Sequence, residues 1–274
     1  MSNVLTTRRQ ALAALASGAI AGRALAATGD ALHFAALDHV ALSVTDVDKS
    51  VAFYARVFGN TVLKDDRSTR RYLKLGPCYA AIANPARGQP AQRVDHICAG
   101  IEGFQMAEAK AFLQTRGMSP RESSVGLFVA DPDGIQVQLF TIDSWKELAA
   151  TASPESIPAS TPIFHPTGLD HLLLRVTDPD KSAAFYAKIF GPVTSRANNR
   201  TWFQVGKSRI GLIAADASHP VGVDHFCVSA ERFDYNAVAR KLEENGGKVQ
   251  PPEVAGAPEF RDPENILVQV MGPR

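Results

Sequence analysis

Cysteine is scarce in this chain. Only three occur in 274 residues, Cys78, Cys98 and Cys227. An odd count with no close pair excludes a disulfide framework and leaves three small buried residues. Net charge is also scarce. Lys and Arg number 29 against 28 Asp and Glu, a balance of +1, with no long basic run. This excludes nucleic acid as a partner class. Long apolar runs are missing too. The stretch from Ala11 to Ile20 is too short and too alanine-rich to hold a stable membrane span. What remains is 45% hydrophobic and 21% charged residues, the balance of a globular protein.

What is present begins at the N-terminus. Arg8 and Arg9 precede the apolar run, and Ala24-Leu25-Ala26 ends it with small residues. A charged start, a short apolar middle and a small-x-small end make an export signal. The arginine pair gives it the twin-arginine form, an address read by the twin-arginine export machinery. Residues 1–26 are therefore expected to be a signal peptide, and the mature chain a periplasmic one.

The next feature is a repeat. Leu37-Asp38-His39, Val94-Asp95-His96, Leu169-Asp170-His171 and Val223-Asp224-His225 all read apolar, Asp, His, and a β-favouring run follows each. A shift of about 130 residues lays one half of the chain on the other. LDHVALSVTDVDKSVAFYARVFG at 37–59 falls on LDHLLLRVTDPDKSAAFYAKIFG at 169–191, and DPDGIQVQLF at 131–140 falls on DPENILVQVM at 262–271. The chain is a duplicated domain. Helices are expected near Lys49–Phe58, Met106–Arg116, Lys181–Phe190 and Phe233–Glu244. Last strands are expected at Ile135–Phe140 and Ile266–Met271. The stretch from Ala149 to Pro166 is rich in Ser, Thr, Pro and Ala and reads as a linker.

Strand side chains alternate between faces. Val40, Leu42 and Val44 form one apolar face, as do Leu172, Leu174 and Val176, and these faces should lie under helices. His39 and His171 then point the other way. The same count puts His96, Gln138, His225 and Gln269 on the non-helical face of their sheets. Each half thus offers two His and one Gln. A divalent metal would explain such a cluster, and so would a His–Gln hydrogen-bond network without metal.

At these residues the chain resembles the vicinal oxygen chelate superfamily, also called the glyoxalase/bleomycin resistance/extradiol dioxygenase superfamily. The carriers are the Asp-His strand openings, the helices SVAFYARVFG and SAAFYAKIFG, and the DPDG and DPEN turns. The resemblance implies an α+β fold of four βαβββ modules, paired into two domains, each with a curled mixed sheet around a cavity. The domains would span 34–145 (modules 37–93 and 94–143) and 167–273 (modules 169–222 and 223–272), joined by a linker over 146–166. Carried over, the metal ligands are His39, His96 and Gln138 in the first domain and His171, His225 and Gln269 in the second. The chain departs from the family pattern by having Gln at 138 and 269, where Glu is usual. Fe(II), Mn or Zn is the implied cofactor. The implied activity is a dioxygenase or a lyase acting on a small substrate with vicinal oxygens. A metal-free periplasmic binding or sequestering protein is the alternative that the two Gln residues leave open. Arg175 and Trp202 are the expected substrate contacts, an anion partner and a ring partner. Tyr79 is the one side chain considered as a general base.

Overall fold

The computed structural model describes residues 32–273. The signal expected over 1–26 lies outside the described residues. Two open mixed sheets carry the fold, one per half. The first half contributes β1 (Phe34–Ser43), α1 (Val47–Phe58), β2 (Val62–Lys64), β3 (Arg71–Leu75), β4 (Cys78–Ala83), β5 (Arg93–Ile101), α2 (Met106–Thr115), β6 (Arg121–Ser123), β7 (Gly126–Ala130) and β8 (Gln136–Thr141). Helix α3 (Ser144–Thr151) and β9 (Ser153–Glu155) follow. The second half contributes β10 (Pro166–Val176), α4 (Pro179–Phe190), β11 (Ser195–Ala197), β12 (Arg200–Val205), β13 (Ser208–Ala214), β14 (Gly222–Ala230), α5 (Tyr235–Glu244), β15 (Lys248–Gln250), β16 (Glu259–Arg261) and β17 (Leu267–Met271).

Strand order among the described residues is β6-β7-β8-β5-β1-β4-β3-β2-β9 in the first sheet and β11-β12-β13-β10-β14-β17-β16-β15 in the second. In both, the two opening strands pair antiparallel at the centre, β1 with β5 and β10 with β14, and each last strand runs parallel to the second opener. The four histidines are thereby brought to the middle of their sheets. The segment 146–166, read as a linker, carries most of α3 and the edge strand β9, which pairs with β2.

The helices begin where capping chemistry allows. The Asp46 side chain accepts from Lys49 N at the start of α1. Asp178 accepts from Asp180 N and Lys181 N at the start of α4. That helix starts two residues before the expected Lys181, because Pro179 occupies a first-turn position where no N–H is needed.

The apolar faces of the two sheets share one contiguous core, which runs from Leu37, Val40 and Leu42 through α1 to Leu172, Leu174, Phe226 and Phe260. Phe53 of α1 packs on Phe260, with ring centres 6.0 Å apart, and Phe190 of α4 packs edge-on against Phe34 at 4.9 Å. The halves also exchange equivalent polar contacts. Tyr54 of α1 donates to Asp262 at 2.7 Å, and Tyr186 of α4 donates to Asp131 at 3.1 Å. The helix motif of one half therefore clamps the DPxx turn of the other.

Candidate metal centres

Each apolar-Asp-His motif is a β-bulge. Leu37 pairs with Ala99 and His39 with Cys98, so Asp38 is an extra residue on β1. Ala41 pairs with His96 and Leu42 with Val94, so Asp95 is the extra residue on β5. The same slips isolate Asp170 on β10 and Asp224 on β14. Neighbours in a regular strand face opposite ways, and a bulge re-aims them. The consequence is the same four times. His39 Nδ1 lies 2.8 Å from Asp38, His96 Nδ1 2.9 Å from Asp95, His171 Nδ1 2.6 Å from Asp170, and His225 Nδ1 2.8 Å from Asp224. A carboxylate at Nδ1 favours a proton there and turns Nε2 toward another partner. Metal-binding imidazoles are oriented in this way.

The two halves then diverge. In the first, His39 Nε2 meets Gln138 Oε1 at 3.1 Å, and Gln138 Nε2 donates to the Val125 carbonyl. Both ends of the amide are satisfied, so a hydrogen-bond network explains this cluster. His39 stacks on Tyr79 with ring centres 4.6 Å apart, and Phe128 meets His96 edge-on at 5.4 Å. The cavity here measures about 500 Å³ and is walled by Tyr72, Tyr79, Phe128, Phe140 and Leu148. Helix α3 closes one side of it with Ser144, Glu147 and Leu148. Tyr79 is no free base. Its hydroxyl meets Ser144 Oγ at 3.0 Å, which in turn donates to Asp38 at 2.5 Å, and burial pushes the phenol far above its ordinary value.

In the second half, His171 Nε2 and His225 Nε2 face each other 3.2 Å apart, with no amide between them. With both Nδ1 atoms facing carboxylates, the paired Nε2 atoms are held together by a shared proton or by a cation beside them. Two nitrogens on adjacent positions of one ion, each about 2.1 Å from it, would be separated by about 3 Å. Burial, against the pull of the Asp170 hydrogen bond, pushes the His171 imidazole down to about 4, so its neutral form prevails at neutral pH. Gln269 is buried in the same cavity. Its Nε2 donates to Glu259 at 2.7 Å, and its Oε1 has no hydrogen-bond partner among the described residues. A buried carbonyl oxygen without a donor is costly. Two open nitrogens and one open oxygen fit a divalent ion by donor chemistry and by burial.

The expected substrate contacts divide. Trp202 lines this second cavity of about 220 Å³ and meets His171 edge-on, ring centres 5.2 Å apart. Arg175 does not line it, which corrects the expectation of an anion partner. Its Nε donates to Asp224 at 2.7 Å, so the charge is spent on the carboxylate behind His225. Burial acts to raise the Asp224 carboxyl, but hydrogen bonds from His225 and Arg175 outweigh it and hold the group at about 2. Arg209 does the same for Asp170 at 2.8 Å. Arg200, Arg209 and Glu253 line the cavity and were not singled out by sequence; neither was Glu259. Nothing local marks them, because their neighbours lie on other strands.

Ligand-type atoms of Asp38, His39 and Cys98 also lie within 4.8 Å of one another, as do those of Asp170, His171 and Cys227. These groups follow from the cross-strand pairs His39–Cys98 and His171–Cys227, with each Asp already spent on Nδ1. Burial raises the Cys98 thiol well above its ordinary value, which makes it a poor ligand.

A family model described as the Glyoxalase/Bleomycin resistance protein/Dioxygenase superfamily matches residues 36–139 and again 168–270. A lactoylglutathione lyase of Schizosaccharomyces pombe is 24% identical, over 86% of this chain and 95% of its own length. The 2,3-dioxygenase LapB from Pseudomonas sp. KL28 superposes with a TM-score of 0.65 at 13% identity, covering 89% of this chain and 94% of that one. A Mn(II)-bound glyoxalase from Novosphingobium aromaticivorans gives a TM-score of 0.63 at 15% identity, covering 88% and 83%. At these identities the two structures speak for the fold alone.

Proposed function

The chain belongs to the Glyoxalase/Bleomycin resistance protein/Dioxygenase superfamily, and within it we propose a metal-dependent enzyme of dioxygenase or lyase type, centred in the second domain and acting on a small substrate with vicinal oxygens. One observation carries this reading. Gln269 Oε1 is buried without a donor in the cavity where His171 and His225 hold their Nε2 atoms 3.2 Å apart. The lyase relative and the family description, which names glyoxalases and dioxygenases, support the two reaction types.

His171, His225 and Gln269 would hold the ion. When bound, Fe(II), Mn(II) or Zn(II) would supply Lewis acidity toward chelating oxygens or a meeting point for substrate and O2. Asp170 and Asp224 keep each imidazole in the tautomer that frees Nε2, and Arg209 and Arg175 keep those carboxylates charged. Arg209 is held by Asp170, but Arg200 lines the cavity with a buried Nε that has no hydrogen-bond partner among the described residues, a donor open to a substrate oxygen. Trp202 excludes water along the His171 edge. Glu253, on the same wall, accepts from Arg200.

Equilibrium dialysis of the full chain against Mn(II), Fe(II) or Zn(II), with elemental analysis, tests the centre. Wild type should retain about one equivalent and His171→Ala should lose it. Wild type that retains none would end the metal reading. A second reading, metal-free binding or sequestering of a small molecule, is favoured by the first domain. There the Gln138 amide is saturated beside a cavity of about 500 Å³ with aromatic walls. Under that reading a ligand raises the melting temperature of fully metal-depleted protein.

We also place the mature chain in the periplasm, delivered by the twin-arginine machinery, on the strength of Arg8-Arg9 and the Ala24-Leu25-Ala26 site. Mass spectrometry of the exported protein should give an N-terminus near Ala27. Export unaltered in an Arg8→Lys/Arg9→Lys variant would refute the route.

A further inference from the structure

The second domain keeps a carboxylate that its last strand has lost. Strand β16 runs antiparallel to β17 and sets Glu259 directly opposite Gln269. Glu259 is 5% exposed, and its Oε1 accepts from Gln269 Nε2 at 2.7 Å and from Glu253 N at 3.0 Å. Both donors are neutral. A buried carboxylate held only by neutral donors still lacks a counter-charge. On the far end of the same amide, Gln269 Oε1 lacks a donor. One cation beside Gln269 Oε1 removes both deficits.

The first domain shows what happens without that carboxylate. The register of β7 and β8 sets Phe128 opposite Gln138, the place that Glu259 takes opposite Gln269. Phe128 offers no charge and no acceptor. The Gln138 amide turns to the Val125 carbonyl instead, and its oxygen is taken by His39.

We propose that Glu259 is a positioning residue for the metal centre: it pins Gln269 with its oxygen toward the ion and supplies, from the neighbouring strand, the negative charge that Gln in place of Glu removes. The second domain alone then holds metal tightly. The inference rests on reading His171, His225 and Gln269 as a metal centre. It adds that their affinity depends on a residue outside the ligand set. Oriented partners of metal ligands are typically worth about 10- to 100-fold in affinity.

The test is a titration of the full chain with Mn(II) alone, following free Mn(II) by its electron paramagnetic resonance signal, with melting curves of the metal-free proteins beside it. Wild type is expected to show one tight site. Glu259→Gln should bind about 10- to 100-fold more weakly, and Glu259→Gln/Gln269→Glu, which moves the carboxylate into the ligand set, should regain tight binding. Tight binding in wild type with equal affinity in Glu259→Gln overturns the role of Glu259 and leaves the metal centre standing. Two tight equivalents overturn the restriction to the second domain. No Mn(II) bound by wild type overturns the centre itself. Should Glu259→Gln lose its fold, the double variant decides: tight binding supports the inference, weak binding overturns it.

Discussion

Asp224 carries three duties on one side chain. It is the extra residue of a bulge, it holds the proton of His225 on Nδ1, and it takes the charge of Arg175. Removing the carboxylate and removing its distant partner should differ in degree. Asp224→Asn, which can offer its amide N–H to Nδ1 and favour the wrong tautomer, should weaken metal binding by about 10- to 100-fold. Arg175→Ala should weaken it less, since the Asp224–His225 hydrogen bond survives. Competition against a chelator measures both. A larger loss for Arg175→Ala than for Asp224→Asn would return Arg175 to a direct role in the cavity.

At the scale of elements, the helix and turn motifs that mark this family meet across the two halves. Tyr54 reaches Asp262 and Tyr186 reaches Asp131, both aspartates sitting where the last strands begin. Burial raises the carboxyls of Asp131 and Asp262 above the ordinary 3.8, and backbone N–H donors only partly offset this. A folded value above the unfolded one means that the folded state holds the proton to higher pH. The stabilising contribution is therefore complete below pH 3.8 and is lost as pH rises through the folded value. Asp262→Asn removes this dependence and keeps an acceptor for the backbone donors of Glu264 and Ile266. In denaturant melts the advantage of wild type over Asp262→Asn should shrink as pH rises from 4 to 7. An advantage constant across that range would refute the assignment. Tyr54→Phe should cost about 1–3 kcal/mol at neutral pH, because it leaves Asp262 Oδ2 buried without its donor.

At the scale of the whole molecule, neither half closes its own core. The buried residues of both form one cluster, and the β-turns between inner strands press on the other half's first strand. Gly206, between β12 and β13, sits at φ +57°, and a Cβ there would lie 2.0 Å from the Ala35 carbonyl oxygen. Gly76, its counterpart between β3 and β4, sits at φ +67°, 2.8 Å from the Thr167 backbone. Lys207 N donates to that same Ala35 oxygen at 2.8 Å. Only glycine serves where left-handed backbone meets another backbone so closely. Gly206→Ala should cost about 2 kcal/mol or more, and it should destabilise both halves together in a single calorimetric transition. Two transitions, with only one shifted, would show that the halves fold separately.

The sequence by itself determined the repeat, the two-face pattern of the opening strands, and the histidines and glutamines that converge on the concave side. These are local signals. Alternation, caps and turn residues act within a few positions, and the 130-residue shift between halves repeats them. The Asp-His pairs were legible, but the bulges they form were not: only the slipped register shows why each Asp reaches its neighbour's Nδ1. Tertiary structure decided the difference between two halves that read alike. Gln138 and Gln269 occupy equivalent positions, yet one amide is saturated and the other is open. The reason lies opposite them, where Phe128 stands in one sheet and Glu259 in the other. The segment read as a linker folds into α3 and covers the first cavity, and Arg175 turns from the cavity to Asp224. A cross-strand partner or a returning helix is a neighbour in space and not along the chain. Its effect on charge and hydrogen bonding enters only when the sheets assemble.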